Sequence, residues 1–456
     1  MKASIQLAVI GAGPAGMMAA RTAAAHGVDV VLLDDQPQPG GQIYRNVENQ
    51  ALDVAILGQE YARGLQQVQA FRQGNIAYYP DSSVWYLDKT RRLGLIQNSS
   101  STQLVADRIV LATGAQERPM PFPGWQLPGV MTAGAGQILL KSASMVPSGP
   151  VVLAGSGPLL LLLAWQYLQA GVSVSAIVET TEPNPLRRAL RYLPAALTAG
   201  DYLIKGWKLI RALRRSGTRW FKAATELEAL GEDRVTGLRF NAAGETHLLD
   251  CSILLVHQGV IPDIQIAQAA GCELKWNDPQ LCWQTVCDDW GESTQDGIFV
   301  AGDLGAIIGA AAAGLAGQLA GIQVAFQLGR LDKKQRDQQA RSLRRQLDRH
   351  LAIRPFLDRY YRPVLSIPPD DTILCRCEEV SAGEIRQVIE SGCTGPNQAK
   401  AFTRCGMGPC QGRSCSSSIE LMFAGLQSKP FNEVGRFNAR PPIKPVTLGQ
   451  LANSEE

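Results

Sequence analysis

Four of the ten cysteines fall into two short spacings near the end of the chain: Cys375 and Cys377 in ILCRCEEV, and Cys410 and Cys415 in GMGPCQGRSC. Thiolates are soft ligands, and a C-x-C followed one helical hairpin later by C-x4-C gathers four of them from two loops, a set that suits iron with sulfide, or zinc. Gly406, Gly408 and Gly412 favour iron and sulfide, because small residues let backbone amides point at sulfur, whereas zinc sites more often use two C-x2-C knuckles. Cys405 is a rival ligand, since it stands as far before Cys410 as Cys415 stands after it. Cys251, Cys272 and Cys393 belong to no spacing and read as core, as do the two thiols of LCWQTVC, Cys282 and Cys287.

A second kind of chemistry is phosphate binding. Residues 5–10, IQLAVI, form an apolar run of strand length, followed by GAGPAG, a helical stretch ending in glycine, and the second strand VDVVLLDD. In this setting Gly11 allows a tight turn, Gly13 lets backbone approach a pyrophosphate, and Gly16 allows close helix packing, while Pro14 and Ala15 open the helix whose amides face the phosphate. Asp34 is placed to accept from a ribose hydroxyl, with Asp35 as the neighbouring candidate. In QPQPGGQIYR, Gly40, Gly41 and Gln42 bring backbone toward another part of the same ligand.

The elements that would position these groups read as an α/β chain of Rossmann type. Residues 108–114, RIVLATG, end a strand in Ala112, Thr113 and Gly114, and residues 298–303, IFVAGD, end another in Gly302 and Asp303. With the N-terminal fingerprint, these segments resemble the two-dinucleotide-domain flavoproteins that include thioredoxin and glutathione reductases. The resemblance implies FAD at the first fingerprint and Asp303 on its ribityl chain.

Residues 150–179 repeat the pattern, with Gly155 and Gly157 in the turn and Glu179 ending the second strand, but Leu160 replaces the third glycine. The resemblance would make this an NAD(P)H domain. Leu160 forces the helix off the strand or demands repacking, so the expectation is a structural or regulatory nucleotide fold rather than a working pyridine-nucleotide site. The cysteine pair that disulfide reductases hold against the flavin is missing from both of its usual places. The four histidines are scattered and read as structural, and no residue of this chain is assigned a catalytic role.

Composition sets the bounds. At 456 residues, 45% hydrophobic and 19% charged, with a net charge of +3, the chain is a multidomain globular protein with no general pull toward nucleic acid. MKASIQLAVIGAGPAG lacks the form of a secretory signal, so the expected location is cytoplasmic. Leu304 to Gln327 carries no charge and could span a bilayer by length, although its glycines and alanines favour a helix buried against a sheet. Residues 186–222 hold ten Lys or Arg against one acid, Asp201, and Leu203, Trp207, Ile210 and Arg214 follow helical spacing. Such a helix either docks on anionic lipid at the inner membrane face or on an acidic partner, or covers the protein's own core. Leu343, Leu347 and Leu351 stripe a charged linker, and Ser381 with Glu384 makes a capping box.

The expected organisation is an FAD-binding domain in two parts, 1–147 and 271–330, around a second Rossmann-like domain at 148–270. A helical linker at 331–370, a thiol domain at 371–430 and a tail at 431–456 follow. IGAGPAG, PGGQIYR, VVLAGSGPLLLL, IFVAGD and CRCEEV with GMGPCQGRSC together resemble the larger subunit of heteromeric FAD-dependent amine dehydrogenases, the group of opine oxidases, hydrogen cyanide synthase and hydroxyproline dehydrogenase. Residues 373–425 are similar to [2Fe-2S] domains of the bacterioferritin-associated ferredoxin type. The resemblance implies a smaller flavoprotein partner of amino acid oxidase type acting on a secondary amine or amino acid such as an opine, hydroxyproline or glycine. It also implies electron flow through FAD and [2Fe-2S] to an acceptor the sequence does not name, and allows a second nucleotide or FMN at a subunit interface. The competing readings are an NAD(P)H-dependent reductase, a glycerol-3-phosphate-type dehydrogenase and a non-enzymatic scaffold.

Overall fold

Leu7, Ala8 and Val9 are fully buried because their strand, Ser4–Ile10, lies inside a parallel layer. Val30–Leu33 pairs on one side and Ser100–Leu111 on the other, with Ala77–Tyr79 beyond the former. Ile298–Val300 returns to pair in parallel with Ser100–Leu111, so the IFVAGD turn comes back beside the ATG turn. The computed structural model describes residues 4–49 and 54–455.

The second sheet has five parallel strands in the order Arg219–Phe221, Val174–Glu179, Val151–Ser156, Ile253–Gln258, Val130–Thr132. The last of these lies before residue 148, so this sheet begins earlier than the sequence spacing indicated. Val130–Thr132 is only three residues long and carries no periodic signal of its own. Helix Ala133–Ala143 follows it, capped by the Thr132 hydroxyl, which accepts from the Ala135 amide.

Helix Ala310–Gln327 is apolar all round and mostly buried, as such a helix must be in water. It lies directly on the fingerprint helix Pro14–Ala25. A Cβ at Gly317 would stand 2.1 Å from the Ala15 carbonyl oxygen, and one at Gly321 2.6 Å from that of Ala19. Its glycines are therefore contact points between helices. Among the described residues no helix is long and apolar enough to cross a membrane.

The charged linker forms helix Lys333–Leu351, and the capping box of Ser381 and Glu384 opens helix Ala382–Glu390. That helix and Pro396–Thr403 form the hairpin that separates the two cysteine spacings. The segment after residue 430 is anchored at both ends. Phe437 is buried in the thiol domain, Lys444 pairs with Asp35 at 2.8 Å, and Ser454–Glu455 joins the first sheet.

Candidate functional site

The first fingerprint is held by close backbone contacts. A Cβ on Gly11 would lie 2.5 Å from the Ala112 oxygen, and one on Gly16 would lie 1.8 Å from the Gly11 oxygen, so both positions demand glycine. At Gly13 the nearest atom to an added Cβ would be Gly41 Cα, at 3.9 Å, which leaves that side of the turn open. Gly302 rests on Ala15, whose Cβ is 2.8 Å from where its own would be. The GAG turn, the GG segment, the ATG turn and the GD turn therefore converge on the N-terminus of one helix.

Asp34 is 6% exposed. Its Oδ2 accepts from the Ala12 amide, and its Oδ1 accepts from the Gln36 amide at 2.7 Å. Burial raises its pKa, opposed by these two amides. Asp35 instead faces Lys444, so Asp34 is the acid turned into the cradle. Asp303 Oδ1 accepts from the amides of Ile308 and Gly309 at 2.8 and 2.9 Å, which fixes the carboxylate at the entrance of helix Ala310–Gln327. Gln42 Oε1 accepts from Arg45 Nη2 at 3.1 Å.

Lys141 is a residue the sequence did not single out. It is 2% exposed, and its ammonium donates to the carbonyls of Gln42 and Ile43 at 3.2 and 2.9 Å and to Gln137 Oε1 at 3.0 Å. Burial, with Arg45 nearby, pulls its pKa down to about 7. A buried cation from the second domain thus clips the GGQI segment of the first.

The second fingerprint differs. Leu160 is 1% exposed and packs into the main core with Leu153, Leu163 and Tyr167, so it fills space between helix and sheet without entering the phosphate turn. The obstruction expected at Leu160 stands elsewhere, at Gly157. A Cβ there would meet His257 Cδ2 at 2.9 Å and Nε2 at 3.0 Å. Gly155 lies against the His257 backbone, and Glu179 faces Trp220, Lys222 and Arg214, its pKa raised chiefly by burial.

The thiols gather at one end of the C-terminal domain. Cys375 ends strand Ile373–Cys375, Cys377 is exposed in the turn that follows, and Cys415 is the N-cap of helix Ser416–Leu426. Cys375 stands beside Cys415, and Cys377 beside Cys410. Contact with the Cys415 thiol and the amides of Gly406, Glu378 and Cys377, against burial, pull the Cys375 pKa down to about 5. The neighbouring Cys375, and then burial, push that of Cys415 up. Cys405 is fully buried next to Cys375 and Cys393, with burial raising its pKa to about 11. A Cβ on Gly408 would meet Cys377 Cβ at 2.2 Å, so glycine there is what lets the 406–412 loop close on the C-x-C turn. Among the described residues no group of three or more His, Cys, Asp or Glu side chains is arranged to hold a metal ion; Cys415 lies within electrostatic reach of Cys375, Cys410 and Cys405.

The two regions meet at residues 263–265. The Asp263 amide donates to the Gly114 oxygen at 3.0 Å, and Thr113 Oγ1 donates to the Asp263 oxygen at 3.3 Å. Gln265 Nε2 donates to the Gln411 and Cys410 carbonyls at 2.7 and 3.4 Å, while Gln116 Nε2 donates to that of Arg413 at 2.8 Å. One short turn therefore touches both the ATG loop and the loop between the last two cysteines.

Residues 5–329 match the model of the pyridine nucleotide-disulphide oxidoreductase family, and residues 372–455 match the sarcosine oxidase A3 domain. An opine oxidase subunit of Rhizobium meliloti is 42% identical over 461 residues, covering 97% of this chain and 86% of its own length. Hydrogen cyanide synthase subunit HcnB of Pseudomonas aeruginosa is 31% identical over 459 residues, with 98% of each chain covered. Among solved structures, L-proline dehydrogenase from P. horikoshii superposes with a TM-score of 0.71 at 22% identity, over 98% of this chain and 79% of its own, a likeness of fold.

Proposed function

The chain belongs to the pyridine nucleotide-disulphide oxidoreductase family, among the FAD-dependent subunits of heteromeric amine oxidases, and we propose that it is the electron-handling subunit of such an enzyme. Its partner is a smaller flavoprotein of amino acid oxidase type that oxidises the C–N bond of an opine, hydroxyproline or glycine. FAD, when bound, accepts electrons in pairs and releases them singly, and a [2Fe-2S] centre takes them one at a time.

The observation that carries this reading is the 263–265 turn, which hydrogen-bonds to the ATG loop on one side and to the Cys410–Arg413 loop on the other. Gly11, Gly13, Gly16, Gly40 and Gly41 would hold the dinucleotide, with Gln42 beside them, Asp34 meeting a ribose hydroxyl and Asp303 orienting the chain that carries the ring. Cys375, Cys377, Cys410 and Cys415 would hold the cluster. The paired thiols, and amides aimed at Cys375, are the donor set that iron and sulfide require. Cys405, buried and protonated at neutral pH, serves as packing.

Helix Gly200–Arg215 supports a peripheral contact with an anionic surface. It is tethered by Lys205 to Glu60 and by Arg349 to Asp201, yet Ile204 and Trp207 are more than half exposed beside Lys208 and Arg211, as are Leu186, Leu190 and Leu197 just before it. Co-sedimentation with anionic vesicles and not with neutral ones is the expected result.

Co-expression with the smaller subunit, followed by anaerobic addition of each amine, tests the main reading. Flavin bleaching that requires the partner supports it. Amine oxidation by the isolated chain would contradict it.

A further inference from the structure

We propose that His257 and Tyr361 fill the second dinucleotide half of this molecule, and that they are the specificity-determining residues which deny it NAD(P)H. Only the consequence, that electrons enter from another subunit, rests on the reading above.

The two fingerprints of the chain provide the comparison. In such a turn the second glycine is bare so that pyrophosphate can approach the backbone. At Gly13 the space a Cβ would take has no atom nearer than 3.9 Å, as a phosphate-accepting turn needs. At Gly157 that space holds the His257 imidazole, within 3.0 Å. The ring is 3% exposed and locked in place: its Nδ1 is 2.6 Å from Glu117 Oε1, and Glu117 Oε2 accepts from the Gly134 amide at 2.8 Å. A carboxylate this close to the turn adds negative charge where a pyrophosphate would bring its own.

The chain also approaches the ribose side. Ser156, in the same turn and 2% exposed, donates from Oγ to the Tyr361 carbonyl at 3.0 Å. Glu179, at the end of the following strand, is the acid that would meet a ribose. It has the Tyr361 phenol within electrostatic reach instead; burial, and then the charges of Tyr360 and Glu179, push that phenol's pKa up. Lys222 and Arg214 also face Glu179, so its charge is answered without a ligand. Residues 360 and 361 thus touch the glycine turn through the Tyr361 carbonyl and lie within electrostatic reach of Glu179. Thr180 and Gln258, at the ends of the two strands that flank Val151–Ser156, hydrogen-bond to each other at 3.0 Å and are each 4% exposed.

The test uses the FAD-loaded full chain with NAD⁺, NADH, NADPH and ADP-ribose, followed by isothermal calorimetry and saturation-transfer NMR. The wild-type chain is expected to show no binding at millimolar ligand, and NADH is expected to leave the flavin oxidised. His257→Gly and Tyr361→Ala, each checked for FAD content and circular dichroism, are expected to raise affinity for ADP-ribose or NAD⁺ by about tenfold or more. Dinucleotide binding by the wild-type chain would overturn the proposal, and so would folded variants that bind no better than wild type. Should His257→Gly not fold, the wild-type NMR experiment and the half-buried Tyr361→Ala variant decide the matter. A failure of the amine-dehydrogenase reading would show itself separately, as no reduction by any amine in the presence of the partner.

Discussion

Gln265 donates from Nε2 to the carbonyl of Gln411 at 2.7 Å, joining the domain of the first fingerprint to the loop between the last two cysteines. Gln265 is 6% exposed and the bond is partly buried, so its loss leaves a partly buried acceptor unmet. Removing the donor costs about 1–3 kcal/mol locally. Gln265→Ala is therefore expected to keep its FAD while the amides of residues 410–415 exchange with solvent about tenfold faster, as read by hydrogen exchange with mass spectrometry. Trp283→Phe removes another contact between the same domains, Trp283 Nε1 to Glu420 at 3.0 Å, and should leave that loop's exchange unchanged. Equal loosening by both variants would mean that Gln265 only contributes to general docking.

Gly13 and Gly16 separate binding from folding. The Cβ of Gly13→Ala meets nothing closer than 3.9 Å, so the chain should fold with near-normal stability while FAD affinity falls by at least about tenfold, the methyl standing where phosphate must approach. The Cβ of Gly16→Ala would lie 1.8 Å from the Gly11 oxygen, so the helix has to move and stability should fall by several kcal/mol. Thermal unfolding of both variants with and without FAD checks the contrast.

Cys415 and Cys405 are both buried thiols near Cys375, but only Cys415 is proposed as a ligand. Cys415→Ser and Cys375→Ser should lose bound iron. Cys405→Ser should keep iron and the visible spectrum of the centre, at a modest cost in stability from a buried hydroxyl. Loss of iron in Cys405→Ser with retention in Cys415→Ser would reverse the ligand assignment.

Lys141 gives a pH dependence with a definite sign. Its pKa is about 7 in the folded chain, below the unfolded value near 10.4. Below pH 7 both states hold the proton and the burial cost is present in full. Above pH 7 the folded chain releases a proton the unfolded chain keeps, so stability rises with pH by up to about 1.4 kcal/mol per unit, until pH about 10. Arg45 and Tyr61 are the other titratable groups facing the amine, and burial pushes the Tyr61 phenol above its usual range. The stability of wild type minus that of Lys141→Met, from urea unfolding, should be flat below pH 7 and climb above it.

What the sequence made legible were features carried by neighbours in the chain. GAGPAG, the capping box at Ser381 and the small-residue helix Ala310–Gln327 each announce their structure within a few residues, because backbone strain, caps and periodicity are local. The closure of the second site was not legible. Leu160 breaks a local pattern and drew attention, yet it only packs in the core, while His257 and Glu117 act from 140 positions apart. Gln265 with Gln411, Ser156 with Tyr361 and Lys141 with Gln42 are likewise pairs that only the fold brings together. A glutamine or a tyrosine carries no spacing signature, so no motif could have marked them.

Iron, acid-labile sulfide and FAD measured on the chain purified without oxygen, with electron paramagnetic resonance after photoreduction of the flavin, test the central claim most directly. Equal amounts of iron and sulfide with stoichiometric FAD, and a reduced-cluster signal that grows as the flavin is photoreduced, are the predicted results. A chain that carries FAD but holds zinc, or contains no sulfide, would contradict the assignment of this protein as the path from flavin to a sulfur-ligated iron centre.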